Sequence, residues 1–345
     1  TAYEQIDNYV KECWEAIVET AVWAEKELPG VLEKVSPDIV CVDNVILFPA
    51  IKRYARENNK PWVRVISCSE NEIPDPQIPP HLSGCGENDS ECFSAYQNHF
   101  NEVIQPIHDR FNAFLAECGE AAYPVGEFFE ASPHMNLLLY PEPVKFNRAT
   151  PLDPGQFQYL EGCVRDEEAY EVPQFKAHND APLLYVSFGS LGSGDTGLLK
   201  RLMDVVSTMP VRALFNVGDY ESEYDTVPDN VQIASWYPQP SVISQADAVI
   251  HHGGNNSFNE CLYFGKPAII MPYVWDGHDN AKRVAETGHG HHLHRNHWKP
   301  KELRATIESM LSNKAMQERL AATSVHMRSE HGPTKAAAIL DQLLI

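Results

Sequence analysis

The stretch WYPQPSVISQADAVIHHGGNNSFNECLYFGKPAIIMPYVWDGHDN, residues 236–280, decides how this chain folds. Ala248–His251 is a short apolar run that reads as a buried strand ending at His251-His252. Gly253-Gly254-Asn255-Asn256 then makes a turn, a helix opens near Ser257 and runs to Phe264, and a second apolar run follows at Ala268–Pro272. A strand, a glycine turn and a helix amino terminus form the geometry that holds phosphate on backbone N–H groups. Lys and Arg are absent from Ser241 through Gly265, so a phosphate here is bound by helix dipole, hydroxyl and imidazole. Asn256 and Glu260 lie four apart on one helix face. A carboxylate one turn in from a phosphate site is well placed to accept hydrogen bonds from a ribose diol. Gly-Gly after a strand is a weak signal alone, since an ordinary tight strand–helix turn reads the same way.

Working outward, the same alternation continues on both sides. Strands are predicted at Leu183–Phe188, Arg212–Asn216, Val231–Ala234 and His291–His294, with helices at Leu198–Thr208, Asp279–Glu286, Pro300–Leu311 and Met316–Ser329. Nearer the amino terminus a helical pattern from Ile6 to Leu28 ends at Pro29-Gly30. Strands are expected at Ile39–Val42 and Trp62–Ser67, helices at Pro49–Asn58 and Phe93–Cys118, a proline-rich loop over Glu72–His81 and a short strand at Leu137–Tyr140. Two alternating blocks predict an α/β protein of two Rossmann-like domains facing a cleft, with ligand at the carboxyl ends of the strands. The expected domains are 1–150 on one side and 181–330 on the other, a Pro-, Asp- and Glu-rich linker at 151–180, and a helix at 331–345 packing back on the first domain.

Composition removes other classes. The chain has 345 residues, 43% hydrophobic and 22% charged, and a formal net charge of −21. Nucleic-acid binding requires a basic footprint, and no basic run here exceeds a pair. No stretch approaches the ~20 apolar residues of a membrane helix. The eight cysteines show no paired metal spacing, and a chain of this size needs no disulfide framework, so a reducing cytoplasm is expected.

The full stretch resembles the nucleotide-binding signature of the UDP-glycosyltransferase family, inverting enzymes of GT-B fold. The residues that carry the resemblance are Trp236-x-Pro238-Gln239, His252-x-Gly254-x-Asn256-Ser257, Glu260, Gly265-x-Pro267, Pro272, Asp276 and Asn280-Ala281; weaker likeness extends to Val186–Ser190 and Pro37–Asp43. The resemblance implies that Trp236 stacks on a pyrimidine, Gln239 reaches the ribose or base edge and Glu260 takes the ribose hydroxyls. His252, Gly254, Asn256 and Ser257 would hold the diphosphate with Ser190 approaching from the neighbouring strand, and Asp276 would face the donor sugar. The expected donor is a UDP-sugar, with dTDP left open, and the expected acceptor a small apolar molecule with a hydroxyl. The loop and helices from Glu72 to Phe129 are expected to line the acceptor pocket, with Phe93, Tyr96 and Phe100 as candidate walls.

Two departures stand out. Gly277 occupies the place of the family's sugar-binding Gln, so a glucose or glucuronic acid preference does not carry over, and His278 is either its substitute or a solvent-facing loop histidine. The family's strand–glycine–histidine segment, which supplies the general base, is expected upstream of Thr1, while Asp43 matches the aspartate that orients that histidine. The chain as it stands is therefore expected to bind donor and transfer little sugar. A nucleotide-binding fragment without turnover, a lipid-linked sugar transferase and a nucleotide-sugar epimerase are the competing readings. His289, His291, His292, His294 and His297 permit a metal, against scattered surface histidines; no metal and no cofactor is expected, because the family's catalysis is metal-free.

Overall fold

The computed structural model describes residues 1–43 and 48–344. It divides into two compact units, Thr1–Glu161 with His331–Ile345, and Gly162–Glu330.

The first unit is built on the parallel strands β1 (Val40–Val42), β2 (Trp62–Ile66), β3 (Met135–Leu138) and β4 (Phe157–Tyr159), in the order β1-β2-β3-β4. Its helices are α1 (Ala2–Gln5), α2 (Lys11–Ala24), α3 (Leu28–Val35), α4 (Pro49–Asn58) and the long α5 (Ser90–Glu117), and a π-helical turn, Ile6–Val10, joins α1 to α2. Pro29-Gly30 does not end a helix, as the sequence pattern suggests. Pro29 sits in the first turn of α3, where its missing N–H has no partner to lose. β4 falls inside the stretch read as linker; three residues paired to one neighbouring strand leave too short an apolar run to show in the sequence. The carboxy-terminal helix, Gly332–Gln342, lays Ala336, Ile339 and Leu340 on Val63, Met135, Leu137 and Leu160 of this unit.

The cysteine reading needs correction. Cys85 and Cys92 form a disulfide, which ties the loop before α5 to that helix's first turn, where Asp89 caps the Cys92 N–H at 3.0 Å. The other six cysteines are outside any disulfide. Among the described residues no helix is long and apolar enough to cross a membrane.

The second unit carries six parallel strands, β5 (Leu183–Ser187), β6 (Arg212–Asn216), β7 (Val231–Ala234), β8 (Ala248–His251), β9 (Ala268–Ile270) and β10 (Gly290–His292), in the order β10-β9-β8-β5-β6-β7. β5, β8 and β9 are buried along their whole length, which explains their continuous apolar sequence. Connecting them are α6 (Gly189–Gly192), α7 (Thr196–Val206), α8 (Gln239–Gln245), α9 (Asn255–Tyr263), α10 (Gly277–Thr287), α11 (Pro300–Ser312) and α12 (Lys314–Arg328). The strand order reverses between β5 and β8, so the loops leaving those two strands part company there. In open parallel sheets that is the crevice where ligands bind. In the β5–β8 register Ser187 pairs with His251, and the next residues of both chains are therefore neighbours at the sheet's carboxyl edge.

Candidate functional site

The residues after β8 build the site's floor. Gly254 caps α9, which starts at Asn255, two residues earlier than the sequence pattern places the helix start. Gly253 has φ +94, and a Cβ there would lie 2.7 Å from the Gly277 carbonyl oxygen, so the turn admits only glycine. The Asn280 side chain, fully buried, donates to the Gly253 carbonyl at 2.8 Å and lies 3.5 Å from an Asp276 carboxylate oxygen. The amino termini of α9 and α10 thus meet at one turn.

His251 and His252 serve different ends. His251 is fully buried, its Nδ1 accepts from the Gly253 N–H at 3.1 Å, and burial with the neighbouring His252 pushes it down to about 3. It is a brace for the turn. His252 packs against Gly189 and Gly254: a Cβ at Gly189 would stand 3.1 Å from its Cε1, and one at Gly254 2.5 Å from its Nε2. Burial and the Arg295 guanidinium hold His252 at about 4, so at neutral pH it presents an uncharged imidazole. Ser190, exposed on the short helix that starts at Gly189, is next to it in the chain trace.

A second cluster forms around α8, an element the sequence pattern does not reveal because Pro238 and Pro240 mask its seven residues. Gln239 opens that helix. Its Nε2 donates to Glu260 Oε2 at 2.6 Å and to Ser257 Oγ at 3.1 Å, while the Tyr185 hydroxyl donates to its Oε1 at 3.3 Å. Two residues expected at the nucleoside, Gln239 and Glu260, twenty-one positions apart, and one expected at the diphosphate, Ser257, are therefore hydrogen-bonded together. Burial pushes the Glu260 carboxyl above the ordinary value, against Gln239 and Arg165, which hold it down. Trp236 stands 63% exposed just ahead of this cluster, and Asn256 is exposed on the first turn of α9. A large exposed indole is costly unless something covers it.

Other expectations fare differently. His278 is neither a loop residue nor solvent-facing: it is buried in the first turn of α10, and burial drives it to about 3. His289 is buried between the hydroxyls of Thr287 and Thr323, each at 2.9 Å, and His294 stacks on His297 at 4.2 Å. Among the described residues no three histidines of that run bring ligand atoms within 4.8 Å of one another. The residue that sequence reasoning missed is Arg295. It lies beyond the motif, yet it reaches back under Tyr273 and Phe188 and acts on His252. Only its position one residue past the expected strand His291–His294 hinted at the sheet's edge.

In the first unit the proline-rich loop and α5 enclose a cavity of about 700 Å³, whose walls include Trp14, Phe93, Tyr96, Phe100, Phe128 and Phe129. Trp14 stacks on Phe128 at 4.0 Å. Glu72 and His81 are among its polar members. Glu72 is ion-paired with Arg64, whose guanidinium also lies 4.3 Å above the Phe129 ring. Burial pushes the Glu72 carboxyl up, Arg64 draws it down and the charge of Asp43 pushes it up again. Asp43 itself is exposed at the carboxyl end of β1.

Comparison with known proteins agrees with this geometry. Residues 201–343 match the family described as "Erythromycin biosynthesis protein CIII-like, C-terminal domain". The chain is 24% identical over 263 residues to oleandomycin glycosyltransferase of Streptomyces antibioticus, covering 72% of this chain and 60% of that one. The aligned stretches span 39% and 60% of the length of two of the curated relatives, so the chain matches only part of them. Among solved structures, the glycotransferase of kitacinnamycin superposes with a TM-score of 0.78 at 21% identity, over 97% of this chain and 83% of that one. The glycosyltransferase VinC in complex with dTDP superposes at 0.68 and 17% identity, over all of this chain and 82% of that one. The fold is GT-B, and the chain resembles the UDP-glycosyltransferase family.

Proposed function

We propose that this chain is a glycosyltransferase that moves a sugar from a UDP-sugar to the hydroxyl of a small apolar acceptor, with inversion at the anomeric carbon. The observation that carries this reading is the Gln239–Ser257–Glu260 cluster beside the amino terminus of α9, at the point where the strand order reverses. Glu260 accepts from the ribose hydroxyls and Gln239 holds it in place. Trp236 stacks on the uracil. The N–H groups of α9 with His252, Asn256, Ser257 and Ser190 take the diphosphate, and Asp276 faces the sugar. The structural neighbour crystallised with dTDP supports a pyrimidine nucleoside diphosphate; the buried carboxylate of Glu260 favours the ribose diol of UDP over the deoxyribose of dTDP.

In the reaction, the acceptor oxygen attacks the anomeric carbon as the bond from that carbon to the diphosphate breaks. The acceptor proton passes to a base that Asp43 orients, and the helix dipole stabilises the departing charge without a metal ion. The aromatic cavity of the first unit takes the acceptor. Incubation with a panel of UDP-sugars and aromatic alcohols, read by glycoside formation in the presence of a chelator, tests the reading directly. In a version extended to a strand–glycine–histidine segment, Asp43→Asn is expected to depress transfer and leave UDP affinity unchanged. UDP binding without any transfer would instead favour a nucleotide-binding role.

A further inference from the structure

We propose that Arg295 is the cation of the diphosphate site, supplying the fixed positive charge that the glycine turn and helix lack; this rests on the donor reading above. Local charge is needed there. The protein carries −21 overall, and its field repels a nucleoside diphosphate unless a cation stands close to the phosphates.

The placement of Arg295 is specific. It leaves the chain three residues after β10, is only 7% exposed, and crosses the carboxyl ends of β9 and β5. Its guanidinium carbon lies 4.3 Å from the centre of the Tyr273 ring and 5.2 Å from that of Phe188. Asp195 Oδ2 accepts from Nε at 3.2 Å and lies 3.1 Å from Nη2. The third nitrogen, Nη1, is buried and has no hydrogen-bond partner among the described residues. It faces Gly192, where a Cβ would come within 3.7 Å of it. His252 packs on Gly189 at the other end of the same turn, which carries Ser190 between them. Arg295 and His252 therefore flank one segment, and the lowered pKa of His252 agrees with a guanidinium near it.

A buried donor without an acceptor costs free energy that an anion would recover. The planar guanidinium suits the task, because two nitrogens can be pinned by a carboxylate while the third stays available for phosphate. The competing account is a pin: Asp195 also caps α7 through the Leu198 N–H at 3.0 Å, so the pair ties the loop after β10 to that helix. The pin and the cation make opposite demands on Asp195.

The test is calorimetric titration of the full chain with UDP, dTDP, uridine and inorganic pyrophosphate, alongside thermal melts. Arg295→Met is expected to weaken UDP and pyrophosphate by about 10- to 100-fold and to leave uridine unchanged. Arg295→Lys should recover part of the loss, and Asp195→Asn should bind UDP at least as tightly as the wild type. Equal loss of UDP binding in Arg295→Met and Asp195→Asn, or equal loss of uridine and UDP in Arg295→Met, would overturn the proposal in favour of the pin. Where the methionine variant fails to fold, Arg295→Gln, which keeps a donor for Asp195 but no charge, takes its place in the same comparison. A folded variant that binds UDP as the wild type does removes Arg295 alone. A wild type that binds none of UDP, dTDP and pyrophosphate removes the donor reading and Arg295 together.

Discussion

The two units bury polar groups in opposite ways. The first neutralises charge in place: Glu70, fully buried, accepts from Arg148 Nε at 2.8 Å, from the Tyr159 hydroxyl at 2.9 Å and from the Phe146 N–H at 3.0 Å, and Arg64 pairs with Glu72 beneath the cavity. The second buries imidazoles and leaves them uncharged. His251 and His278 are held at about 3, His252 and His289 at about 4. Closed ion pairs fix loops around an apolar space and ask nothing of a ligand. Neutral rings fill the turn after β8 and the first turn of α10 without adding charge there. The difference separates a pocket shaped by packing from one shaped by electrostatics.

The largest expected effect breaks the first arrangement. Glu70→Ala strands the Arg148 guanidinium, the Tyr159 hydroxyl and a backbone N–H, and should destabilise the protein by about 3–5 kcal/mol in urea denaturation. A loss under about 1 kcal/mol would show that the network is not a sealed one.

Acid should expose the second arrangement. A histidine held near 3 or 4 when folded but near 6.5 when unfolded takes up its proton in the unfolded state first. Stability is then complete above about pH 6.5 and falls as pH drops toward 4, by up to about 1.4 kcal/mol per pH unit for each such ring. His81 of the first unit, also held at about 3, adds one ring against four. Denaturation midpoints that stay flat from pH 7 to pH 4.5 would contradict this. His289→Gln, remote from the glycine turn, should flatten the slope by about one proton.

Smaller effects sharpen the electrostatic side. Glu260→Ala should weaken UDP by about 1–3 kcal/mol and dTDP by less, since only UDP offers the diol. Parallel titrations showing equal losses would make Glu260 a helix residue and no more. Trp236→Ala should cost UDP binding about 1–3 kcal/mol with almost no change in melting temperature, because the indole is 63% exposed. A large fall in melting temperature with intact affinity would reverse that assignment.

Much of the second unit is legible from its sequence: Ala248–His251, buried along its length, writes itself as an apolar run, and Arg212–Asn216 and Val231–Ala234, though only partly buried, also match residue for residue. Elements made by contact rather than pattern are not. β4 exists through its pairing with β3, and α8 hides behind two prolines. The resemblance in residue order places Gln239 and Glu260 at the same ligand, but the hydrogen bond between them shows only in the structure. Arg295 is invisible for a similar reason: its partners lie at positions 188, 195 and 273, and only the stacking of strand ends brings them together. Burial of His278 could not be foreseen either, since a histidine after Asp-Gly reads as loop until α10 is seen to start there.

Gly277 bears on how this protein could acquire a different sugar preference. A Cβ at that position would stand 2.6 Å from the His252 carbonyl oxygen, and Gly253 presses on the same backbone from the other side. Restoring the glutamine common in the resembled family is thus not a point change: Gly277→Gln must move α10 away from the glycine turn before its amide can reach a hexose. Under the proposed function, recognition of the sugar and the contact that holds the diphosphate turn are locked to the same few atoms. Evolution or design that seeks a new donor sugar has an easier path through residues beyond that contact, because a substitution inside it alters the phosphate site at the same stroke.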